Sequence, residues 1–540
     1  MDAVTLLLDQ ISSNRPKTSA GLRSLKRQVA VHTRQGLIRN DVLLQRYRQQ
    51  IANRQRQPDH ELERLLQLNR IRSESGIATV TVITKPYACP GRCIFCPTEA
   101  RAPKSYLTNE PAVMRAIRND YDPYRQVKSR LRTLDETGHP TDKIELIVKG
   151  GTWSFYPEGY QLEFIQRCLD AANDFQRAQR QGLRGAGEIS ESAECNEGLD
   201  QAQRRNETSP ARIIGITIET RPDYINNDEI VRLRRLGVTR VELGVQTLEE
   251  NVLRLIVRDH GTEEIRQATR QLKDAGFKIA YHLMPNLPGA NPQSDLRSVQ
   301  QLFDDPSYRP DALKFYPCVV VKSAELHQWW KDGRYQPYDD ETLIELLIQM
   351  KQCVPPYVRI ERVIRDIPST SIESGCLTTN LREQVQQRMR ARGLHCQCIR
   401  CRQVRNTCAG PWTLVRRSYE ASGGREIFLS MEQTDRQQLA SLLRLRIPST
   451  QRSLGFLFDC AIIRELHTYG PHVPIHEQRQ EAVQHLGFGQ RLIAEAERLA
   501  REEFGKTQMA VIAGVGVRGY YRRLGYQLRD TYMVKTFHGA

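Results

Sequence analysis

Nowhere in its 540 residues does the chain carry the roughly 18 consecutive apolar residues that a bilayer-spanning helix needs. Its opening stretch, MDAVTLLLDQISSNRPK, lacks both the basic start and the apolar length of a secretory signal. A cytoplasmic protein with no membrane partner is therefore expected. No segment repeats at a period of about 20–50 residues, which excludes solenoids and propellers. Acids are almost missing from Ile11 to Arg56: eleven Lys and Arg stand against Asp41 alone, so this segment supplies +10 of the net +16. A basic helical stripe releases counterions from each phosphate it neutralises, which is the electrostatic footprint of a polyanion binder. The plainer alternative is a solvated helical face.

What is present begins with thirteen cysteines. Their clustering as C-x3-C-x2-C and C-x-C-x2-C suits metal ligands in a reducing compartment better than disulfides. In KPYACPGRCIFCPTEARAPKSY, Cys89, Cys93 and Cys96 follow the apolar run IATVTVIT. A tetrahedral zinc site wants a fourth ligand, yet no Cys or His follows Cys96 until His139. Three thiolates on a 4Fe-4S cluster would instead leave one iron open to a small molecule. The second group, Cys396, Cys398 and Cys401 in GLHCQCIRCRQVRNTC, has Cys408 and His395 close by. A closed structural zinc site is expected there, its fourth ligand left open between those two.

A length of 540 residues suggests about three units. Residues 1–75 read as short basic helices, for example NDVLLQRYRQQIA and HELERLLQLNRIR. From 76 to 370, seven β-rich runs alternate with amphipathic helices: IATVTVIT, IELIVKGG, RIIGITIET, RVELGVQ, KIAYHLMP, ALKFYPCVVV and YVRIERVI. This order argues for parallel βαβ units closing into a complete or partial TIM-like α/β barrel, with the reaction site at the carboxyl ends of the strands. Residues 179–201 read as a polar surface insertion, 371–410 as a Cys-rich zinc linker, and 411–540 as a separate mixed α/β unit. In the last unit QHLGFGQRLI opens a helix with Q-x-x-G-x-G, a turn whose free N–H groups suit a pyrophosphate.

The cysteine loop, followed by Gly150, Gly151 and Thr152 (GGT) at the end of the second run, resembles the radical S-adenosylmethionine (SAM) superfamily. That resemblance implies that the open iron holds the amino and carboxylate groups of SAM, that reduction yields a 5′-deoxyadenosyl radical, and that GGT meets the methionine amino group. The blocks SYLTNEPAVMRAIRNDYDPY, DKIELIVKGGTW, GITIETRPDY, RVELGVQTLEENV, HLMPNLPG, LKFYPCVVV and VPPYVRIERVIRDIPS resemble the catalytic subunit of Elongator, a tRNA wobble-uridine modifying enzyme. The compact spacing of the first two cysteines departs from eukaryotic members and points to a bacterial-type one.

RELHTYG, GFGQRLIAEAERLAREEFG, GVGVRGYYRRLGY and YMVK extend the resemblance through a GNAT-type N-acetyltransferase fold that binds acetyl-coenzyme A. Carried across, Glu465, Leu466, His467, Thr468, Phe488, Gly489 and Gln490 would contact the coenzyme, and Tyr521 would contact or protonate its sulfur. Lys143 matches a lysine that contacts acetyl-coenzyme A, while Lys278, Lys314 and Tyr316 are further pocket candidates. The resemblance implies conversion of uridine 34 to 5-carboxymethyluridine, with residues 14–56 on the tRNA backbone and a homodimer left open. Its main rival is a protein lysine acetyltransferase with a structural iron–sulfur barrel. A radical methylthiotransferase usually brings a further three-cysteine set ahead of the radical motif, and no Cys precedes Cys89.

Overall fold

The computed structural model describes residues 2–68, 75–175, 198–405, 410–448, 455–470 and 486–537. The insertion expected over 179–201 lies, up to residue 197, outside the described residues. No described helix is long and apolar enough to cross a membrane.

Four helices, Ala3–Asn14, Ser19–Thr33, Asn40–Ala52 and His60–Leu66, open the chain. Asp2, Thr18 and Asp59 cap three of them through their side chains. Their apolar stripes meet in a small core of their own around Leu7, Leu8, Leu22, Leu43, Leu44 and Tyr47. The bundle is tied to the rest by Arg48, which donates to the Asp135 carbonyl at 2.8 Å.

Each of the seven β-rich runs contributes one strand to a parallel sheet in sequential order. They are β1 (Ala78–Ile83), β2 (Lys143–Lys149), β3 (Arg212–Thr220), β4 (Arg240–Gln246), β5 (Lys278–Leu283), β6 (Ala312–Phe315) and β7 (Arg359–Arg362). Along β2, Ile144, Leu146 and Val148 are buried while Lys143, Glu145, Ile147 and Lys149 are half-buried. That period of two turns the apolar set outward to the helices and the charged set inward. The sheet curls into a partial barrel, because Arg240 on β4 reaches both Glu145 on β2 at 3.6 Å and Glu361 on β7. Branched apolar residues usually fill such a lumen. Here Lys149, Glu219, Arg240, Glu242, His282, Lys314 and Glu361 occupy it as a network of ion pairs.

The helix Leu381–Ala391 and the short helix Ile399–Arg402 pack onto the barrel wall, with Ile399 N–H donating to the Val358 carbonyl at 2.9 Å. Arg402 then joins the barrel to the C-terminal unit, donating to the Pro356 carbonyl at 2.7 Å and pairing with Glu432 at 3.1 Å.

The remaining strands, β8 (Trp412–Ala421), β9 (Gly424–Gln433), β10 (Leu439–Ile447), β11 (Cys460–Thr468), β12 (Gln508–Val511), β13 (Gln527–Arg529) and β14 (Tyr532–Thr536), form a second seven-stranded sheet. Its order is β13-β14-β12-β11-β10-β9-β8, antiparallel except between β11 and β12. The amphipathic helix Phe488–Glu502 covers one face through Leu492, Ile493, Ala496 and Leu499. The other face docks on the amino-terminal end of the barrel through charge. Buried Arg464 pairs with Asp311 and Glu426 and donates to the Phe277 carbonyl at 2.6 Å, and buried Arg446 pairs with Asp274 at 2.6 Å. Gly514 allows the closest approach, since a Cβ there would lie 1.9 Å from the Ile214 carbonyl oxygen. Each buried charge has a partner, without which its desolvation would cost several kcal/mol.

Candidate functional site

A cavity of about 460 Å³ opens at the carboxyl ends of β1–β7, within the ~300–1,000 Å³ range of small-molecule sites. Its rim is the loop after β1, which holds Cys89, Cys93 and Cys96, together with Gly151 and Thr152. Cys93 is buried and Cys89 and Cys96 half-buried. Cys89 Sγ stands 3.7 Å from Thr152 Oγ1, so the cysteine loop and GGT, 63 residues apart, are one site.

Two guanidinium groups back the loop. Arg258 Nη1 lies 3.5 Å from Cys93 Sγ and its Nη2 donates to the Gly244 carbonyl at 2.5 Å. Arg221 presses against the loop at Gly91, where a Cβ would come within 2.3 Å of its Nη1; that buried nitrogen has no hydrogen-bond partner among the described residues. Burial, reinforced by the neighbouring Cys93, pushes the Cys96 thiol up to about 12. Three thiolates therefore need bound cationic metal beside these two arginines, and the donor set fits a 4Fe-4S cluster held through three sulfurs.

GGT is shaped from behind. Gly150 and Gly151 have φ of 147° and 94°, and a Cβ on Gly150 would sit 1.7 Å from Thr84 Oγ1, so only glycine fits. Glu219 at the end of β3 accepts from the N–H groups of Gly150 at 2.9 Å and Gly151 at 3.2 Å, and from the Tyr106 hydroxyl. Burial alone would raise the Glu219 carboxyl, but Lys149 at 3.6 Å, His282 and the hydrogen bonds from Tyr106 and Gly150 together hold the group below its ordinary value.

Deeper in the lumen, Glu242 accepts from His282 Nε2 at 2.9 Å and pairs with Lys314 and Arg240. The Tyr316 ring meets His282 edge-on with centroids 5.1 Å apart, so two of the further pocket candidates, Lys314 and Tyr316, gather here. Lys143 and Lys278 lie at the opposite end of the barrel, as the first residues of β2 and β5. Burial lowers the Lys143 ammonium, partly offset by Asp142.

Lys278 faces Glu465 of β11 at 3.7 Å, which brings the C-terminal sheet to the lower mouth of the lumen. Glu465 also accepts from Arg444 at 2.8 Å, and His467 bonds the Ser75 carbonyl at 2.9 Å. Both side chains thus point at the barrel, and of Glu465–Thr468 only backbone, Leu466 and Thr468 face the other way. On that other side, β11 pairs with β12 only as far as Ile463↔Val511, leaving the edge of 464–468 without a strand partner among the described residues. Into this gap the helix begins at Gly487, with φ of 70°. A Cβ on Gly489 would lie 3.4 Å from the Tyr520 hydroxyl and 3.7 Å from Leu466, so strand, Gly turn and tyrosines converge. Phe488 is buried against Trp412, with ring centroids 6.0 Å apart, while Gln490 begins the exposed side of the helix. Tyr521 is buried beside Tyr520, and burial raises its phenol well above the ordinary value. Gln484 and His485 lie outside the described residues.

Cys396, Cys398 and Cys401 bring their sulfurs within 4.8 Å of one another on the barrel wall. Hydrogen bonds from Cys396 and Cys401 hold Cys398 well below the ordinary thiol value, and hydrogen bonding to Cys398 and Cys401 pushes the Cys396 thiol up. His395 is exposed, and Cys408 lies outside the described residues.

No sequence motif singles out Arg221, Arg258, Glu219, Glu242 or His282. The one signal for Glu219, Glu242 and His282 is polarity inside runs otherwise apolar, as in IET, VEL and YHL; Arg221 and Arg258, in the polar stretches TRPD and VRDH, have none.

A seven-stranded parallel half-barrel with a three-cysteine loop after its first strand defines a radical SAM protein. In agreement, the radical SAM superfamily model matches residues 83–302 and the radical SAM C-terminal domain model residues 310–391. The chain is 45% identical to the tRNA uridine(34) acetyltransferase of Dehalococcoides mccartyi, over 86% of this chain and 98% of that one. It is 40% identical to human Elongator complex protein 3, over 87% and 86%. The structure of Elp3 from the archaeon Methanocaldococcus infernus, lacking its residues 1–46, superposes with a TM-score of 0.73 at 38% identity, covering 86% of this chain and all of that one. The chain belongs to the family of the tRNA uridine(34) acetyltransferases and Elongator complex protein 3.

Proposed function

We infer that the chain modifies the wobble uridine of tRNA, the position given by the names of its relatives, and forms 5-carboxymethyluridine from acetyl-coenzyme A. One observation carries this: the radical SAM cysteine loop lies at the carboxyl ends of the barrel strands, and the sheet that carries the glycine turn docks at their amino ends, where Glu465 faces Lys278. Two catalytic centres so connected suit a reaction in which one prepares carbon that the other transfers.

On this reading Cys89, Cys93 and Cys96 hold a 4Fe-4S cluster whose charge Arg258 and Arg221 offset. When bound, cluster and SAM supply a primary carbon radical able to take hydrogen from an acetyl methyl group. Glu219 occupies the Gly150 and Gly151 N–H groups and fixes the turn, and GGT would meet the ammonium of SAM. In the C-terminal sheet, the open edge of β11 at 465–468 and the turn Phe488–Gln490 would hold pantetheine and pyrophosphate, as GNAT-type acetyltransferases do. Tyr521 stays protonated at neutral pH and would donate to the departing thiolate. Lys143 would meet the thioester at the lower mouth. Cys396, Cys398 and Cys401 would hold zinc and fasten the linker 371–410 between barrel 76–370 and the unit 411–540, while the helices of 1–75 would grip the tRNA backbone.

The test is nucleoside mass spectrometry of tRNA incubated with reduced, cluster-loaded protein, SAM and isotopically labelled acetyl-coenzyme A. Label in carboxymethyluridine supports the reading. Labelled acetyl-lysine with no modified uridine, unaffected by Cys89→Ser, would replace it with a protein acetyltransferase.

A further inference from the structure

Inside the barrel, Glu219, Glu242 and His282 bring their polar atoms within 4.8 Å of one another. The trio has the look of a metal site, but Lys149, Lys314 and Arg240 already neutralise both carboxylates, at 3.6 Å and 3.1 Å for Lys149–Glu219 and Arg240–Glu242. An added divalent ion would meet three fixed cations, so a different use is called for.

The hydrogen bonds fix the imidazole. Burial alone would raise the Glu242 carboxyl, but Lys314, the His282 hydrogen bond, Lys149 and Arg240 together hold it as a carboxylate. An ionised carboxylate only accepts, so Nε2 of His282 carries the proton that it shares with Glu242 at 2.9 Å. Burial lowers the basicity of His282 and keeps it neutral. Its Nδ1 is then a bare acceptor, with no hydrogen bond to any described residue, on a ring that lines the cavity and stays 13% exposed. The Tyr316 ring, edge-on to the imidazole, holds it in that orientation. The same cavity is lined by cationic donors, the Lys149 ammonium and the Arg362 guanidinium.

We propose that His282 reads the ring N3–H of the target base, with the neighbouring cations donating to its carbonyl oxygens, so that the cavity selects uracil over cytosine. The pattern of one acceptor among donors is the complement of an imide, which presents a donor between two acceptors. Cytosine reverses it: its N3 is an acceptor and would face the Nδ1 lone pair, and its amino group would face a cation. Leaving such buried groups unpaired is what makes a polar site reject the wrong ligand. The proposal rests on the tRNA uridine reading and goes beyond it, by assigning base choice to one residue.

The test measures binding. Cluster-loaded protein with SAM is titrated with labelled anticodon stem-loop RNAs that carry uridine, cytidine or 3-methyluridine at the target position. The native protein is expected to bind the uridine loop about ten- to a hundred-fold more tightly than the other two. In His282→Leu this preference disappears, and His282→Asn, which returns an acceptor, regains part of it. Both variants keep the iron–sulfur absorbance that reports a folded barrel. Equal binding of uridine and 3-methyluridine by the native protein, or full discrimination by His282→Leu, overturns the proposal even when the native protein modifies tRNA. If the native protein neither modifies uridine nor prefers it, the functional reading falls together with the proposal.

Discussion

Removing three charges from one helix and its C-cap should make tRNA affinity less dependent on salt. Of the eleven basic residues between Ile11 and Arg56, Arg39, Arg46, Arg48 and Arg56 are paired with Asp41, Asp2, Asp135 and Asp9. Lys26 is engaged by the Ile38 carbonyl at 2.7 Å and by Asn40. Arg15, Lys17, Arg23, Arg27, Arg34 and Arg54 are exposed, with no ion pair among the described residues. Arg23, Arg27 and Arg34 follow one another at helical spacing on Ser19–Thr33 and its C-cap, and so share a face. Each phosphate they neutralise contributes roughly 0.7–0.9 to the slope of log K against log salt. Arg23→Gln/Arg27→Gln/Arg34→Gln should lower that slope by about 2–3, which is about a hundred- to a thousand-fold in affinity at ~0.1 M salt and little near ~1 M. Fluorescence anisotropy of labelled tRNA across a salt series measures it, with the melting temperature little changed because the three side chains are exposed. Parallel salt plots for native and variant protein would refute the assignment of this face to tRNA.

Other consequences concern the two ends of the barrel. Arg258→Leu removes a buried cation beside Cys93; by Coulomb's law at about 6 Å and an effective dielectric of about 20 this is ~2–3 kcal/mol, so the cluster's reduction potential should fall by about 100 mV. Spectroelectrochemical titration of the loaded variant checks this, and an unchanged potential counts against the arginine's role. Tyr521→Phe should slow release of coenzyme A by roughly a hundred-fold or more while leaving acetyl-coenzyme A binding intact, as a thiol-release assay beside calorimetry would read. Glu465, held down to about 2 because Lys278 and Arg444 outweigh its burial, stabilises the fold fully above its ordinary value and progressively less as pH falls towards 2. Glu465→Gln should therefore flatten acid unfolding between about pH 5 and pH 2, by on the order of 3 kcal/mol. Equal acid curves for native and variant would show the pairing to be without energetic weight.

Much of the barrel could be read because each strand is a short run of branched apolar residues bounded by polar turns, and the sites at Cys89–Cys96 and Gly150–Thr152 are contiguous in sequence. What could not be read depends on contacts across long separations. Arg258 meets Cys93 from 165 residues away, and nothing around RDHG marks it as a partner of a metal loop. The direction of Glu465 was hidden for another reason. Register slips between Arg444 and Leu445, so Arg464 and Glu465 both turn towards the barrel, where strict alternation would send one of them to the opposite face. The resemblance named residues 465–468 as a contact segment, and the bulge decides that Glu465 and His467 serve the docking face while backbone and the alternate side chains face the gap.

The charged lumen is the costliest feature of the fold, and the positions of the two sites explain why it persists. β2 runs from Lys143 at the lower mouth to Lys149 beside Gly150, six steps that span about 20 Å at ~3.3 Å each. On the proposed function, a thioester at Lys143 would be out of reach of chemistry at the cysteine loop unless it or the target base entered the barrel. Apolar packing, the ordinary filling, would stabilise the fold more and close that route. Ion pairs such as Arg240–Glu145 and Lys314–Glu242 keep the walls rigid while leaving hydrogen-bonding groups on both ends of the path. If that is their purpose, replacing the pair Lys314–Glu242 with Met and Leu should raise the melting temperature and abolish uridine modification together, whereas loss of stability with retained activity would make the pair purely structural.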